Sequence, residues 1–237
     1  MRLLLTRPQL DAEGSRHRFE AFGHQITVAP LIDIRFLEDV SLPDLNWQAL
    51  LVTSGNGARA LVRQAGSAKL RRLPVLAVGD QSATRMREKG FANVVSANGD
   101  VEALAQLAKE HLDPSLGPVL HVAGSVWAGD LGALLGEAFD YHRIVLYEAV
   151  AATQLPSLIE TGLARDDFDG MLFYSPRTAR IFRELVVAAG LLPKLHHVTA
   201  YCLSASVARA LPEKTFRETK IASEPKEAAL IALLEAD

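Results

Sequence analysis

The chain has 237 residues, 49% apolar and 22% charged, with both signs mixed and a formal net charge of −3. That is enough apolar sequence for a large core spread over one or two domains, and it excludes a disordered chain. The balance, with no Lys/Arg-rich stripe, excludes nucleic acid as the partner, and no apolar run is long enough to span a membrane.

The opening MRLLLTRPQL is too short an apolar stretch for a secretory leader, and a single cysteine, Cys202, excludes an internal disulfide. The expected compartment is the cytosol. Cys202 sits in an apolar strand-like context, where a buried, inert thiol is the ordinary case. The predicted elements then run in order. A strand over Arg2–Leu5 meets a loop at Thr6-Arg7-Pro8, a helix to about Phe22 closed by Gly23, and a strand QITVAPLIDI. A polar connector, residues 35–46, leads to ALLVTSGNGARAL (49–61) and PVLAVGDQSATRMREKG (74–90), each a buried strand, a small-residue loop and a helix. A short strand in ANVVSANGD, the helix VEALAQLAKEHL and the loop DPSLGP complete the first half.

The second half restarts with the strand VLHVAGSVW, passes a connector EAVAATQLPS and a helix, and repeats the grammar of residues 49–61 in GMLFYSPRTARIF. Ser54 falls on Ser175, Ala58 on Ala179 and Arg59 on Arg180. HVTAYCLSAS and the helix EPKEAALIALL, which echoes VEALAQLA, finish the chain. Matched order without matched side chains reads as a duplicated architecture. Alternating strands and helices imply parallel sheets with right-handed crossovers, here two of them facing each other across a cleft.

Several constellations are missing. GDQSAT and SGNGAR lack the lysine of a P-loop, and no GxGxxG follows the first strand, which argues against a nucleotide cofactor. His196-His197 has no nearby carboxylates, and adjacent side chains in a strand point to opposite faces, which argues against a metal site. No GxSxG elbow is present, and neither Ser54 nor Ser175 has an evident histidine partner. What remains is a set of loops at strand-to-helix turns: Thr6-Arg7-Pro8, Thr53-Ser54 with Asn56-Gly57, Gly79 with Ser82, Gly124-Ser125, Ser175 with Arg177-Thr178, and Ser204 to Ser206. Each is accounted for by helix capping alone. Taken together, they would present many backbone donors and few charges, which suits a ligand bearing several carboxylates or phosphates. Trp47 and Trp127 read as packing or cleft-edge residues.

With these residues in view, the chain resembles the uroporphyrinogen-III synthase family over nearly its whole length. The landmarks are Thr6-Arg7-Pro8, Pro30-Leu31-Ile32, Thr53-Ser54, Asn56-Gly57, Val78-Gly79, Ser82-Ala83, Gly124, Tyr147, Ser175-Pro176 and the terminal Glu-Pro-Lys-Glu-Ala helix. The sequence departs from the family at Cys202-Leu203-Ser204, where many members carry Ile-Gly-Pro-Thr, and at Tyr147-Glu148-Ala149, where Tyr-Arg/Gln-Thr is commoner. The resemblance implies two α/β domains joined by a two-stranded linker. One would contain residues 1–34 and 152–237, the other residues 38–147, with linkers at about 35–37 and 148–151.

The implied reaction is the cyclisation of hydroxymethylbilane, a linear tetrapyrrole polycarboxylate, to uroporphyrinogen III, with inversion of the last pyrrole ring and loss of water. It needs no cofactor, because the pyrrole nitrogens push out the leaving group. Tyr147 is the candidate proton donor to the departing hydroxyl. Arg7, Thr53, Ser54, Asn56, Gly57, Gly79, Ser82, Gly124, Ser175, Arg177, Thr178 and Ser204 are the candidate substrate-binding residues. The chain is expected to act as a monomer on a small molecule. Two other readings stay open: a phosphosugar isomerase-like enzyme, which needs a Glu or His base not located here, and a two-domain protein that binds an anionic ligand without turnover.

Overall fold

The computed structural model describes residues 1–126 and 129–235; Trp127 lies outside them. The chain divides into two compact units, Met1–Asp33 with Val150–Asp237, and Ile34–Ala149.

Along the chain, β1 (Arg2–Leu5), α1 (Gln9–Ala21) and β2 (Gln25–Val28) are followed by β3 (Ile32–Phe36), β4 (Ala49–Val52) and α2 (Gly55–Leu61). Next come β5 (Val75–Ala77), α3 (Asp80–Glu88), β6 (Val94–Ser96), α4 (Val101–His111), β7 (Val119–Gly124) and α5 (Leu131–Leu135). The long β8 (Tyr141–Ala151), α6 (Ser157–Ala164), β9 (Gly170–Phe173) and α7 (Pro176–Ala188) lead to β10 (Thr199–Cys202), α8 (Ala205–Ala208), β11 (Glu218–Ile221) and α9 (Glu227–Glu235).

The continuous apolar runs are the central strands. ALLV, GMLF, TAYC and VLHVAG are buried at every position, as strands covered on both faces must be. Neighbouring strands pair in parallel, Leu3 with Ile26 and Gly170 in the first unit, Leu51 with Leu76 and His121 in the second. The first sheet has the order β2-β1-β9-β10-β11, and the second contains β8-β7-β4-β5-β6 with β3 added beside β8. In that direction the two orders match strand for strand: β1 corresponds to β7, β2 to β8 and β9 to β4. That is the pairing of ALLVTSGNGARAL with GMLFYSPRTARIF. The chain passes between the units twice, within β3 and within β8, which are neighbours in the sheet.

Alternation along the strands of the second unit builds a core on each face. Leu50, Val52, Leu120 and Val122 pack with Ala58 of α2 and Met86 of α3, while Leu51, Leu76 and Val119 pack with Leu104 of α4 and Leu131 of α5. In the first unit, Leu3, Leu5, Phe19, Leu172, Tyr201 and Leu230 form one cluster. Each such leucine removed from water contributes about 1.5–3 kcal/mol.

Three details differ from the sequence reading. QITVAPLIDI is two strands: the Ala29 and Leu31 amides still donate to the Leu5 and Thr6 carbonyls on either side of Pro30, and the chain then joins the second sheet as β3. β8 continues through residues read as a connector. β11 and α5 were not expected, the first being polar and mostly exposed, the second only five residues long.

Candidate active site at the carboxyl edge of the second sheet

Parallel strands bring their carboxyl ends to one edge, so the loops after β4, β5 and β7 and the distal part of β8 gather together. There Thr53, Ser54, His121, Gly124, Arg143 and Tyr147 line one pocket with Val101, Ala123, Val126 and Gly129. The site is made by local rules. A bulge between Ala123 and Gly124 shifts the β7–β8 register, so that Gly124 pairs with Tyr147. The Ser125 amide donates to the Tyr147 carbonyl at 2.9 Å. The Arg143 guanidinium donates to the Gly124 carbonyl, fixing a cation beside the same turn.

Tyr147 is 8% exposed, with its ring against the bare backbone of Gly124. Burial pushes its phenol above the ordinary value, while the hydrogen bond from Ser54 and the charge of Arg143 pull the other way. Ser54 also caps α2, its Oγ accepting from the Asn56 amide at 3.1 Å. Ser54 therefore stands both at the start of α2 and beside the Tyr147 oxygen.

A second set of polar groups begins at the same pocket wall. Thr53 Oγ1 is 3.0 Å from His121 Nε2, and His121 Nδ1 is 2.6 Å from the Tyr141 hydroxyl. His121 is 5% exposed, and burial, followed by the Arg143 charge, holds its ring down to about 4, so it is neutral at physiological pH. Burial pushes the Tyr141 phenol up to about 12. Sequence reasoning missed His121, Tyr141 and Arg143. The one available signal was a histidine inside the otherwise apolar run VLHVAG, where a buried polar side chain demands partners.

The other expected site residues divide by unit. Asn56 Oδ1 accepts from Arg59 at 2.7 Å, and Gly57 is buried where an added Cβ would lie 3.1 Å from the Val122 carbonyl, so Gly57 lets α2 approach β7. Gly79 begins α3 with open space beside its Cα, and Ser82 is buried within the helix. In the first unit, the carboxyl ends of β1, β9 and β10 carry Arg7, Ser175 and Ser204 to the edge of that sheet. Ser175 caps α7 through the Thr178 amide at 3.1 Å and meets the Thr178 hydroxyl at 2.8 Å; Arg177 lies partly exposed between them in sequence. Ser204 Oγ is 2.9 Å from Ser206 Oγ. Arg7 is occupied: it donates to Glu227 at 3.0 Å and Ser15 at 2.8 Å, and stacks over the Tyr174 ring at 4.2 Å.

The model of the family described as uroporphyrinogen-III synthase HemD matches residues 15–232. The chain belongs to the uroporphyrinogen-III synthase family. Members of that family are lyases that cyclise hydroxymethylbilane in haem biosynthesis, and this is the activity of the present enzyme. Among solved structures, the uroporphyrinogen-III synthetase of Helicobacter pylori 26695 is 18% identical, with a TM-score of 0.68 over 100% of this chain and 99% of that one. A mutant uroporphyrinogen III synthase of the extremely thermophilic bacterium Thermus thermophilus is also 18% identical, with a TM-score of 0.58 over 100% of this chain and 98% of that one. At that identity the two structures establish the shared two-sheet synthase fold. No curated protein matches the sequence. Among the described residues no helix is long and apolar enough to cross a membrane.

Proposed function

We propose that Tyr147 is the general acid of the cyclisation and that the pocket around it receives the hydroxymethyl end of the substrate. As a pyrrole nitrogen pushes electrons toward the hydroxymethyl carbon, the C–O bond breaks and the Tyr147 proton goes to the leaving oxygen, which departs as water. The phenolate formed is held by the Ser54 hydroxyl and the Arg143 charge. The proton lost when the closed macrocycle regains its pyrrole rings can restore the phenol, so the cycle balances without a cofactor. A positioned acid contributes about 10²–10⁴-fold, and holding the chain in a reactive shape supplies several kcal/mol more.

The observation that carries this reading is the buried phenol flanked by the Ser54 hydroxyl and the Arg143 cation at a sheet's carboxyl edge, where parallel α/β sheets bind ligands. Within the same unit, the backbone donors at the Gly79 turn suit a carboxylate arm of the substrate. The proposal includes action as a cytosolic monomer on a small-molecule substrate.

The test is to supply hydroxymethylbilane generated in situ and separate the isomers formed. The spontaneous product is the type I isomer, so accumulation of type III reports the enzyme. Tyr147→Phe should lower the rate of type III formation by about 10²-fold or more, the size of a lost general acid. Turnover unchanged by that substitution would remove Tyr147 from the chemistry.

A further inference from the structure

Three polar side chains form a line that reaches the pocket wall: Tyr141 hydroxyl, His121 ring, Thr53 hydroxyl, at 2.6 and 3.0 Å. The middle member decides which way the protons point. His121 is deeply buried with Arg143 beside it, and an imidazolium there would have to lose its hydration next to a fixed cation. The ring is therefore neutral, with one N–H and one lone pair. Of the two hydroxyls it meets, the phenol of Tyr141 is the stronger proton donor, and the shorter contact is to that phenol. The lone pair then belongs to Nδ1, and Nε2–H donates to Thr53 Oγ1 at a distance typical of N–H···O. The other charged group near this line is Asp130, close to Tyr141, whose carboxylate caps α5 by accepting from the Ala133 amide. Gly132 of α5 holds the Tyr141 ring in place: a Cβ there would sit 2.9 Å from Tyr141 Cε1.

In this arrangement Thr53 already has a donor, and its own proton has to go elsewhere. Thr53 lines the same pocket as Arg143 and Tyr147. We propose that His121 is a positioning residue: the relay from Tyr141 through His121 turns the Thr53 hydroxyl into a fixed proton donor to a substrate carboxylate in this pocket. The inference rests on the pocket being the substrate site. It adds a residue that the loop pattern does not contain, and a role in binding distinct from the proton transfer of Tyr147. The same pocket holds both Thr53 and Tyr147, so the carboxylate that Thr53 meets is on an arm of the pyrrole that carries the hydroxymethyl group.

Two measurements test it. The first needs no turnover: in the full-length enzyme with ¹⁵N-labelled histidine, the long-range ¹H–¹⁵N pattern of the His121 ring at neutral pH should be that of the neutral Nε2–H tautomer. An Nδ1–H tautomer or an imidazolium would overturn the relay. The second is a double-mutant cycle on KM and kcat for type III formation. Thr53→Val should raise KM by about tenfold or more, the weight of a hydrogen bond to a charged group, with kcat much less affected. His121→Leu should raise KM by a similar factor when Thr53 is present and by less than about twofold in the Thr53→Val background, because both changes remove one interaction. His121→Gln, which keeps an N–H near the Nε2 position, should recover most of the loss. Additive effects of His121→Leu and Thr53→Val, or an effect on kcat alone, would overturn the proposal while leaving the pocket as the substrate site. If neither Thr53→Val nor Tyr147→Phe affects turnover, the pocket assignment itself fails. Should His121→Leu not fold, the tautomer and the Gln variant still decide.

Discussion

Gly124 and Tyr147 occupy adjoining space that admits only one side chain. A Cβ at Gly124 would lie 2.6 Å from Tyr147 Cζ and 2.9 Å from its hydroxyl, and the ring is too well buried to move aside cheaply. Gly124→Ala should therefore disturb the proposed general acid although it adds one methyl and no charge. It should displace the phenol from Ser54 and lower type III formation as strongly as Tyr147→Phe. The overpacking should cost about 1–3 kcal/mol of stability. Isomer-resolved kinetics beside a denaturant titration checks both; an active, stable Gly124→Ala enzyme would mean that the phenol is not held where its proton matters.

His121 also gives the enzyme a pH signature. Its folded value of about 4 lies below the unfolded 6.5, so between these values the unfolded chain binds a proton that the folded one refuses. Stability is complete above pH 6.5 and falls progressively as the pH drops toward 4, with a full difference of roughly 3 kcal/mol. His24, also held low by burial, acts in the same sense but is far less buried. Unfolding free energies measured across that range should show a shallower acid slope in His121→Gln than in the parent. Parallel slopes would mean that the ring titrates normally.

The contrast between what the sequence disclosed and what it hid follows from the range of the interactions. Strand, loop and helix were legible at ALLVTSGNGARAL and GMLFYSPRTARIF because a strand covered on both faces must be apolar throughout, and because Ser54 and Ser175 cap helices through amides two or three residues away. Tyr147 was legible through family landmarks. His121 was not, because its value depends on Tyr141 and Arg143, which come beside it through the β7–β8 register. The ion pair of Arg7 was hidden for the same reason: Glu227, at the other end of the chain, is invisible to any local pattern. β11 lacked a signal because an exposed edge strand need not be apolar.

Glu227 holds Arg7 and Arg18 at 3.0 and 2.6 Å and accepts from Ser15 at 2.7 Å, tying α9 to α1 and to the loop after β1. Burial pushes its carboxyl up, but the bonds from Arg18 and Ser15 and the charges of Arg18 and Arg7 outweigh it, leaving the group below its ordinary 4.5. A depressed carboxylate stabilises the fold fully above that ordinary value and stops doing so as the pH falls through the folded one. Glu227→Gln strands Arg7, 15% exposed at its side chain, without a counter-charge and should cost roughly 3 kcal/mol near neutral pH. The gap between parent and variant should close below pH 4.5, a trend that pH-dependent denaturant titrations would reveal or refute.

Cys202 ends β10 with no exposed surface, and burial alone pushes its thiol up to about 12. Thiolate is the reacting form, so at about pH 8 the folded protein offers both too little of it and no path to it. A disulfide reagent should find no thiol in the native enzyme on a timescale of minutes and one per chain in denaturant. Where native labelling does proceed, its rate should follow opening of the first unit and rise in destabilised variants such as Glu227→Gln. Cys202→Ala should retain turnover, since the buried thiol serves only as packing at the base of the loop that follows β10. Rapid labelling of the folded protein, or loss of type III formation in Cys202→Ala at unchanged stability, would instead make this cysteine part of the site.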